Sequence, residues 1–197
     1  NSSTHAFSVT INKFEDSIYI VSFADISETI LENMQLEEKT LKDKLTNAYN
    51  REFFENNYQR LIETFKSEDM YFGLAMIDID NFKNINDSYG HNIGDEILIN
   101  LVSIINKFSR NDDILIRWGG EEFIIILKVS SEDRLNIILE NIRKTIEKSK
   151  IDKLPTITCS FGGTIYENNE QINDTIKRAD EALYIAKANG KNKVILK

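Results

Sequence analysis

A chain of 197 residues, 41% of them hydrophobic, with a formal net charge of −8, has apolar material for one main domain and a short additional element. No apolar run approaches the ~20 residues of a membrane span, and an acidic chain without basic clusters makes a poor nucleic-acid surface. One cysteine, Cys159, excludes an internal disulfide and fits a reducing cytosol, and two histidines, His5 and His91, exclude a multi-histidine metal centre.

In chain order, residues 6–12 and 17–24 read as two strands joined by a polar turn at Lys13–Asp16. An isolated hairpin is marginal in water, so this pair is expected to end a domain whose remainder lies upstream. A start at Asn1 rather than Met fits an excised fragment, and missing targeting signals then say little about the full-length protein. Asp25-Ile26-Ser27 predicts a helix start, with Ser27 as N-cap and Glu28 in the first turn. Leu31, Met34, Leu41 and Leu45 follow in steps of three and four, with Glu38 at the one seam position that is not apolar. That spacing fits a parallel coiled coil between two copies and equally a helix packed on its own domain.

Residues Asn50 to Phe65 carry a helical stripe of Phe54, Tyr58, Leu61, Ile62 and Phe65, and a strand is expected at Tyr71–Ile77. Ile93, Ile97, Leu101, Ile104, Ile105 and Phe108 form a second stripe. A hairpin follows, Ile114-Leu115-Ile116 and Ile124-Ile125-Ile126-Leu127 around Gly119-Gly120, and its unbroken apolar runs imply cover on both faces. A helix at about 131–148, a strand at about 156–165, a helix at about 173–189 and a strand at Lys193–Lys197 complete the chain. Asn189-Gly190 supplies a left-handed stop for the last helix. The mixture predicts an α+β sandwich, a sheet with helices against it.

Four stretches carry chemistry. Glu121-Glu122 directly follow the turn, and paired acids at the tip of a buried hairpin call for a cation; ordinary surface acids on a solvated turn are the bland alternative. Asp78 ends an apolar strand and opens Asp78-Ile79-Asp80-Asn81-Phe82-Lys83-Asn84-Ile85-Asn86-Asp87, a placement suited to a hard cation such as Mg²⁺. Lys83 and Tyr89, where an EF-hand needs Gly and Glu, exclude that motif and leave a polar loop as the plain reading. Asp95 falls in a first helical turn, where the dipole stabilises it; there it can also accept hydrogen bonds from a guanine edge. Lys187 and Lys191 sit at the negative end of the last helix and suit a triphosphate.

Asp43-Lys44-Leu45-Thr46 with Asn50-Arg51, Asp78 to Asp95, Gly119–Phe123, Ser160-Phe161-Gly162-Gly163 and Ala182–Asn192 together resemble the GGDEF family of diguanylate cyclases, in order and spacing, over residues 43–197. The resemblance implies a nucleotidyl cyclase- and palm-like fold, a central antiparallel sheet flanked by helices. It implies condensation of two GTP into cyclic di-GMP with release of pyrophosphate, using Mg²⁺ (or Mn²⁺), two ions per active site. Carried over residue by residue, Asp78, the Ile79 carbonyl and Glu121 would hold the metals. Glu121, with Glu122 as partner, would accept the proton, and Lys83 would stabilise transition-state charge. Lys187 and Lys191 would bind the β/γ-phosphates. Phe82, Asn86, His91, Asp95, Gly119 and Gly120 would line the GTP site, with Asn86 and Asp95 reading guanine. A carboxylate at Asp95 disfavours adenine, which presents an acceptor at N1, so cyclic di-GMP is the expected product.

Arg110-Asn111-Asp112-Asp113 matches the family's R-x-x-D inhibitory motif, five residues before Gly119. The resemblance implies that cyclic di-GMP binds Arg110 and Asp113 and inhibits, with Arg134 or Arg143 as the second arginine. Residues 6–25 resemble the last strands of a PAS sensor domain. The expected division is therefore 1–26 PAS-like, 27–45 helical linker and 43–197 catalytic. One GTP per domain makes a homodimer necessary for catalysis, and the fragment is expected in the cytoplasm with no nucleic-acid or membrane contact. A catalytically weak module that binds GTP or cyclic di-GMP as a receptor is the alternative.

Overall fold

The computed structural model describes residues 5–15, 18–30, 40–110, 112–150, 154–168 and 170–197. They fall into two compact units, divided between Leu41 and Lys42. No helix among them is long and apolar enough to cross a membrane.

In the first unit, β1 (Phe7–Glu15) and β2 (Ile18–Asp25) pair antiparallel, with Val9 opposite Phe23 and Ile11 opposite Val21. Alternation gathers Phe7, Val9, Ile11, Tyr19, Val21 and Phe23 on one face, and all six are exposed. Residues 27–30 are helical. The cap differs from expectation: Asp25 Oδ1 accepts from the Ser27 N–H at 2.9 Å, while Ser27 Oγ accepts from the Ala6 N–H. The Ser27 hydroxyl also donates to Asp25 Oδ1 at 2.6 Å, so Ser27 ties Ala6 to the start of the helix. The seam positions Leu31, Met34 and Glu38 lie outside the described residues.

The second unit is built on a six-stranded sheet ordered β3-β5-β6-β4-β7-β8. Its strands are β3 (Tyr49–Asn50), β4 (Tyr71–Ile79), β5 (Ile114–Gly119), β6 (Glu122–Val129), β7 (Cys159–Ile165) and β8 (Val194–Leu196). The central strands are antiparallel, but β3–β5 and β7–β8 are parallel, so the sheet is mixed rather than antiparallel throughout. Each parallel pair is separated in sequence by helix, the crossover that parallel strands require. Leu41 begins a turn, and Leu45 packs against this unit's core, so neither is a helical seam position.

The helices are α1 (Arg51–Ser67), α2 (Phe82–Tyr89), α3 (His91–Asn106), α4 (Glu132–Lys148) and α5 (Ile172–Ala188). Asn50 caps α1 by accepting from the Phe53 N–H, and Ser131 caps α4 by accepting from the Arg134 N–H. Odd residues of β4 (Ala75, Ile77, Ile79) join Phe123, Ile125 and Leu127 in one core with α3 and α4. Even residues (Phe72, Leu74, Met76) join Ile124 and Ile126 in a second core with α1 and α5. Two cores on one sheet explain why these strands read as continuous apolar runs. Helix α5 lies so close to β7 that a Cβ on Gly162 would stand 2.1 Å from the Leu183 nitrogen.

The stretch after Asp78 is not a polar loop. Asn81 adopts a left-handed conformation (φ 60°) and turns the strand directly into α2, anchored by buried Phe82.

Candidate active site

The site grows from the period of β4. Two residues beyond Met76, on the same face, comes Asp78, which is only 7% exposed. It lies directly opposite Glu122 of β6 and Ser160 of β7. Side chains directly opposite in an antiparallel pair stand about 5 Å apart at Cβ, so two acids share the end of this face. From the last turn of α5, Lys187 Nζ approaches Asp78 Oδ2 to 2.7 Å. Burial pushes the Asp78 carboxyl above the ordinary carboxylate range, with Glu121 and Asp80 adding to the effect and Lys187 opposing it. Glu122 is raised by burial and by the Asp78 charge, again partly offset by Lys187. Among the described residues, Lys187 is the cation in contact with this pair of acids, on the Asp78 side.

The hairpin tip is held from below. Gly120, at φ +53°, makes the turn, and its carbonyl accepts from Arg117 Nε at 3.0 Å and Nη2 at 2.9 Å. The third arm of the guanidinium reaches Asp43 Oδ1 at 3.0 Å, which also accepts from the Thr46 N–H and hydroxyl. Burial pushes Asp43 up, but Thr46 and Arg117 outweigh it and hold this carboxyl below its usual range. Asp43, Thr46 and Arg117 thus fix the tip; their spacing gave no sign of the contact. Space above Gly119 and Gly120 is open, since a Cβ there would meet nothing within 4 Å.

The remaining expected residues are distributed around this end. Asp80 N–H bonds Thr158 O on the β7 side; strand alternation then turns the Ile79 main chain towards β6 and the tip. Glu121 lies in the turn and Lys83 is exposed in the first turn of α2. His91 and Asp95 are exposed in the first turns of α3. Asn86 Oδ1 is the one buried side-chain polar atom among the described residues without a hydrogen-bond partner. Phe82 is a core side chain, 7% exposed. Lys191 Nζ rests on Asn81 Oδ1 at 2.5 Å. No three Asp, Glu, His or Cys side chains gather as a metal cluster among the described residues. The donors at hand are two or three carboxylates and a main-chain carbonyl, all hard oxygens of the kind Mg²⁺ takes. That set fits the ion, provided Lys187 yields Asp78.

A second site lies at the other end of β6, about 20 Å away by strand length. Arg110, Asp113, Lys128 and Arg134 line a cavity of about 270 Å³ there. Asp113 is fixed by the Arg110 N–H at 2.8 Å and the Lys128 N–H at 3.2 Å. Arg143 is engaged elsewhere, with Glu140, Glu147 and Asn192. Of the two arginines left open by sequence, Arg134 lines this cavity.

The family model described as "Diguanylate cyclase, GGDEF domain" matches residues 40–193. Diguanylate cyclase DgcM of Escherichia coli is 36% identical over 189 residues, covering 94% of this chain and 45% of the relative. Diguanylate cyclase A of Treponema denticola is 36% identical over 201 residues, covering 98% of this chain and 53% of the relative. The chain thus spans about half the length of these relatives. Among solved structures, the coiled coil and GGDEF domain of DgcB from Caulobacter crescentus, in complex with c-di-GMP, superposes with a TM-score of 0.79 at 29% identity, covering 86% of this chain and 93% of that one.

Proposed function

The chain belongs to the GGDEF family of diguanylate cyclase domains, and on that premise we propose that it condenses two GTP into cyclic di-GMP with release of pyrophosphate. The observation that carries this reading is the register pairing of Asp78 with Glu122 under Lys187. The 3′-hydroxyl of one GTP attacks the α-phosphate of the other; the new P–O bond forms as the bond to pyrophosphate breaks, and the hydroxyl proton must be taken up. Glu122, pushed up by burial and Asp78, is suited to accept it, with Glu121 beside it in the turn. Mg²⁺ (or Mn²⁺), two ions per site, would be held by Asp78, the Ile79 carbonyl and Glu121 and would neutralise charge on the phosphates.

Lys187 exchanges Asp78 for a phosphate when nucleotide arrives, and Lys191 and exposed Lys83 add positive charge. The open backbone at Gly119-Gly120 admits the nucleotide. Asn86, with its orphaned oxygen, and Asp95 read the guanine edge, and His91 lines the pocket. Two copies face each other so that each supplies one GTP, and in the chain the catalytic part is preceded by the linker at 27–45 and a PAS-like element at 1–26. Cyclic di-GMP then binds Arg110, Asp113 and Arg134 and inhibits. Since GTP is an intracellular metabolite, the reaction is placed in the cytoplasm. Incubation with GTP and Mg²⁺, followed by mass identification of the product, tests the reading. Cyclic di-GMP is the expected product; tight nucleotide binding without turnover by a verified dimer would favour the receptor alternative.

A further inference from the structure

One buried acid has no part in the chemistry above. Asp80 is 4% exposed, and both its oxygens are occupied. Oδ1 accepts from the Ser160 hydroxyl at 2.7 Å. Oδ2 accepts from the Thr158 hydroxyl at 2.7 Å and the Asn192 main-chain N–H at 3.0 Å. Three of the about four acceptor sites of this carboxylate are thus filled from within the protein. Its third bond, however, crosses from β4 to the turn that follows α5. That turn is unusual: Gly190, Lys191 and Asn192 all have positive φ, at 100°, 62° and 48°. Non-glycine residues reach that region only at a cost of about 1 kcal/mol or more each, so contacts outside the turn must hold it. Asp80 grips Asn192, and the neighbouring Asn81 takes the Lys191 ammonium at 2.5 Å. Two adjacent residues of the catalytic strand end thus clasp two adjacent residues of the turn. Asn192 is gripped from α4 as well, donating to Glu147 and accepting from Arg143.

We propose that Asp80 is a positioning residue for nucleotide binding: by accepting the Asn192 N–H it fixes the strained turn that presents Lys191 to the phosphates. The inference rests on the phosphate role of Lys191 given above. It gives Asp80, in the turn just past β4, a role distinct from that of Asp78. It also gives the Lys191-Asn192 pair a reason to adopt left-handed backbone.

The test is a cycle of four proteins, wild type, Asp80→Ala, Lys191→Ala and the double variant, titrated with a fluorescent non-hydrolysable GTP analogue in Mg²⁺. Losing one hydrogen bond to a charged group weakens binding about tenfold. Lys191→Ala and Asp80→Ala are each expected to do so, while Asp80→Ala adds less than about twofold once Lys191 is gone. Asp80→Asn, which keeps an acceptor for Asn192 and can turn its amide towards the Ser160 hydroxyl, restores most of the affinity. Thr158→Val/Ser160→Ala removes the other two bonds and lowers Tm without changing affinity. Full additivity of the two alanine variants would overturn the proposal, as would an equal affinity loss in Thr158→Val/Ser160→Ala. No effect of Lys191→Ala would instead remove the phosphate reading on which it rests. Hydrogen exchange in the wild type needs no variant: the Asn192 amide is expected to be protected at least about a hundredfold, and free exchange would overturn the clasp.

Discussion

Glu122 and Glu121 are neighbours in sequence with different surroundings. Glu122 is in register with Asp78 and is pushed up by burial and by that charge, whereas Glu121 stays in the turn. A base must be ionised to act, so a raised carboxyl moves the acidic limb of kcat upwards. The limb is expected above the ordinary glutamate value. Glu122→Gln should lower kcat by about 100-fold or more and abolish that limb; a limb at the ordinary value in a pH–rate profile would contradict the assignment. The two acids after the turn were legible in sequence, as was their need for a cation. That Glu122 rather than Glu121 faces Asp78 was not, because it depends on the register of β6 against β4, a pairing between strands distant in sequence that neither strand's own pattern announces. The contact of Lys187 with Asp78 was not legible either. Lys187 is 109 residues away in sequence (187 minus 78), and only the packing of α5 on β7 brings it there.

Most elements were legible because their apolar periods are long and regular, as in α1, α3, α4 and α5. The failures are short elements whose existence depends on neighbours. Two-residue β3 has no pattern of its own and exists through its pairing with Ile116 and Arg117. Helix α2 is mostly polar and is set by a left-handed Asn81 and one buried ring, Phe82. The segment joining β7 to α5 is likewise held by contacts that no period announces. Arg178 donates to both oxygens of Glu170, to Thr164 Oγ1 and to Ile165 O. The Arg178 hydrogen bonds draw the Glu170 carboxyl down to about 2. A depressed carboxyl contributes stability that is complete above its unfolded value near 4.5 and is lost as pH falls towards 2. Thermal melts should therefore drop across that window, and Glu170→Gln should flatten the drop by roughly 5 °C. Identical melting curves for the variant and the wild type between pH 5 and about 2.5 would contradict this.

At the scale of the whole molecule, the sheet separates two sites. Asp78 and Glu122 lie at one end of β4 and β6, and the Arg110–Asp113–Arg134 cavity lies at the far end of β6. Sequence placed Arg110 and Asp113 by spacing but left Arg134 and Arg143 open, since both fall on one helix. Arg143 is held by Glu140, Glu147 and Asn192, and Arg134 lines the cavity. Arg134→Ala is accordingly expected to raise the cyclic di-GMP concentration for half-inhibition by about tenfold or more, with uninhibited kcat retained. Arg143→Ala should leave that concentration unchanged, and the reverse pattern in an inhibition assay would contradict the placement. The most direct test of the catalytic end itself is Asp78→Asn, followed in parallel for nucleotide affinity and for GTP turnover under Mg²⁺. The expected result is turnover reduced by 100-fold or more, about 3 kcal/mol in the barrier, with nucleotide affinity within a fewfold of the wild type. Cyclic di-GMP formed by Asp78→Asn at the wild-type rate would contradict the assignment of this carboxylate pair as the reaction centre.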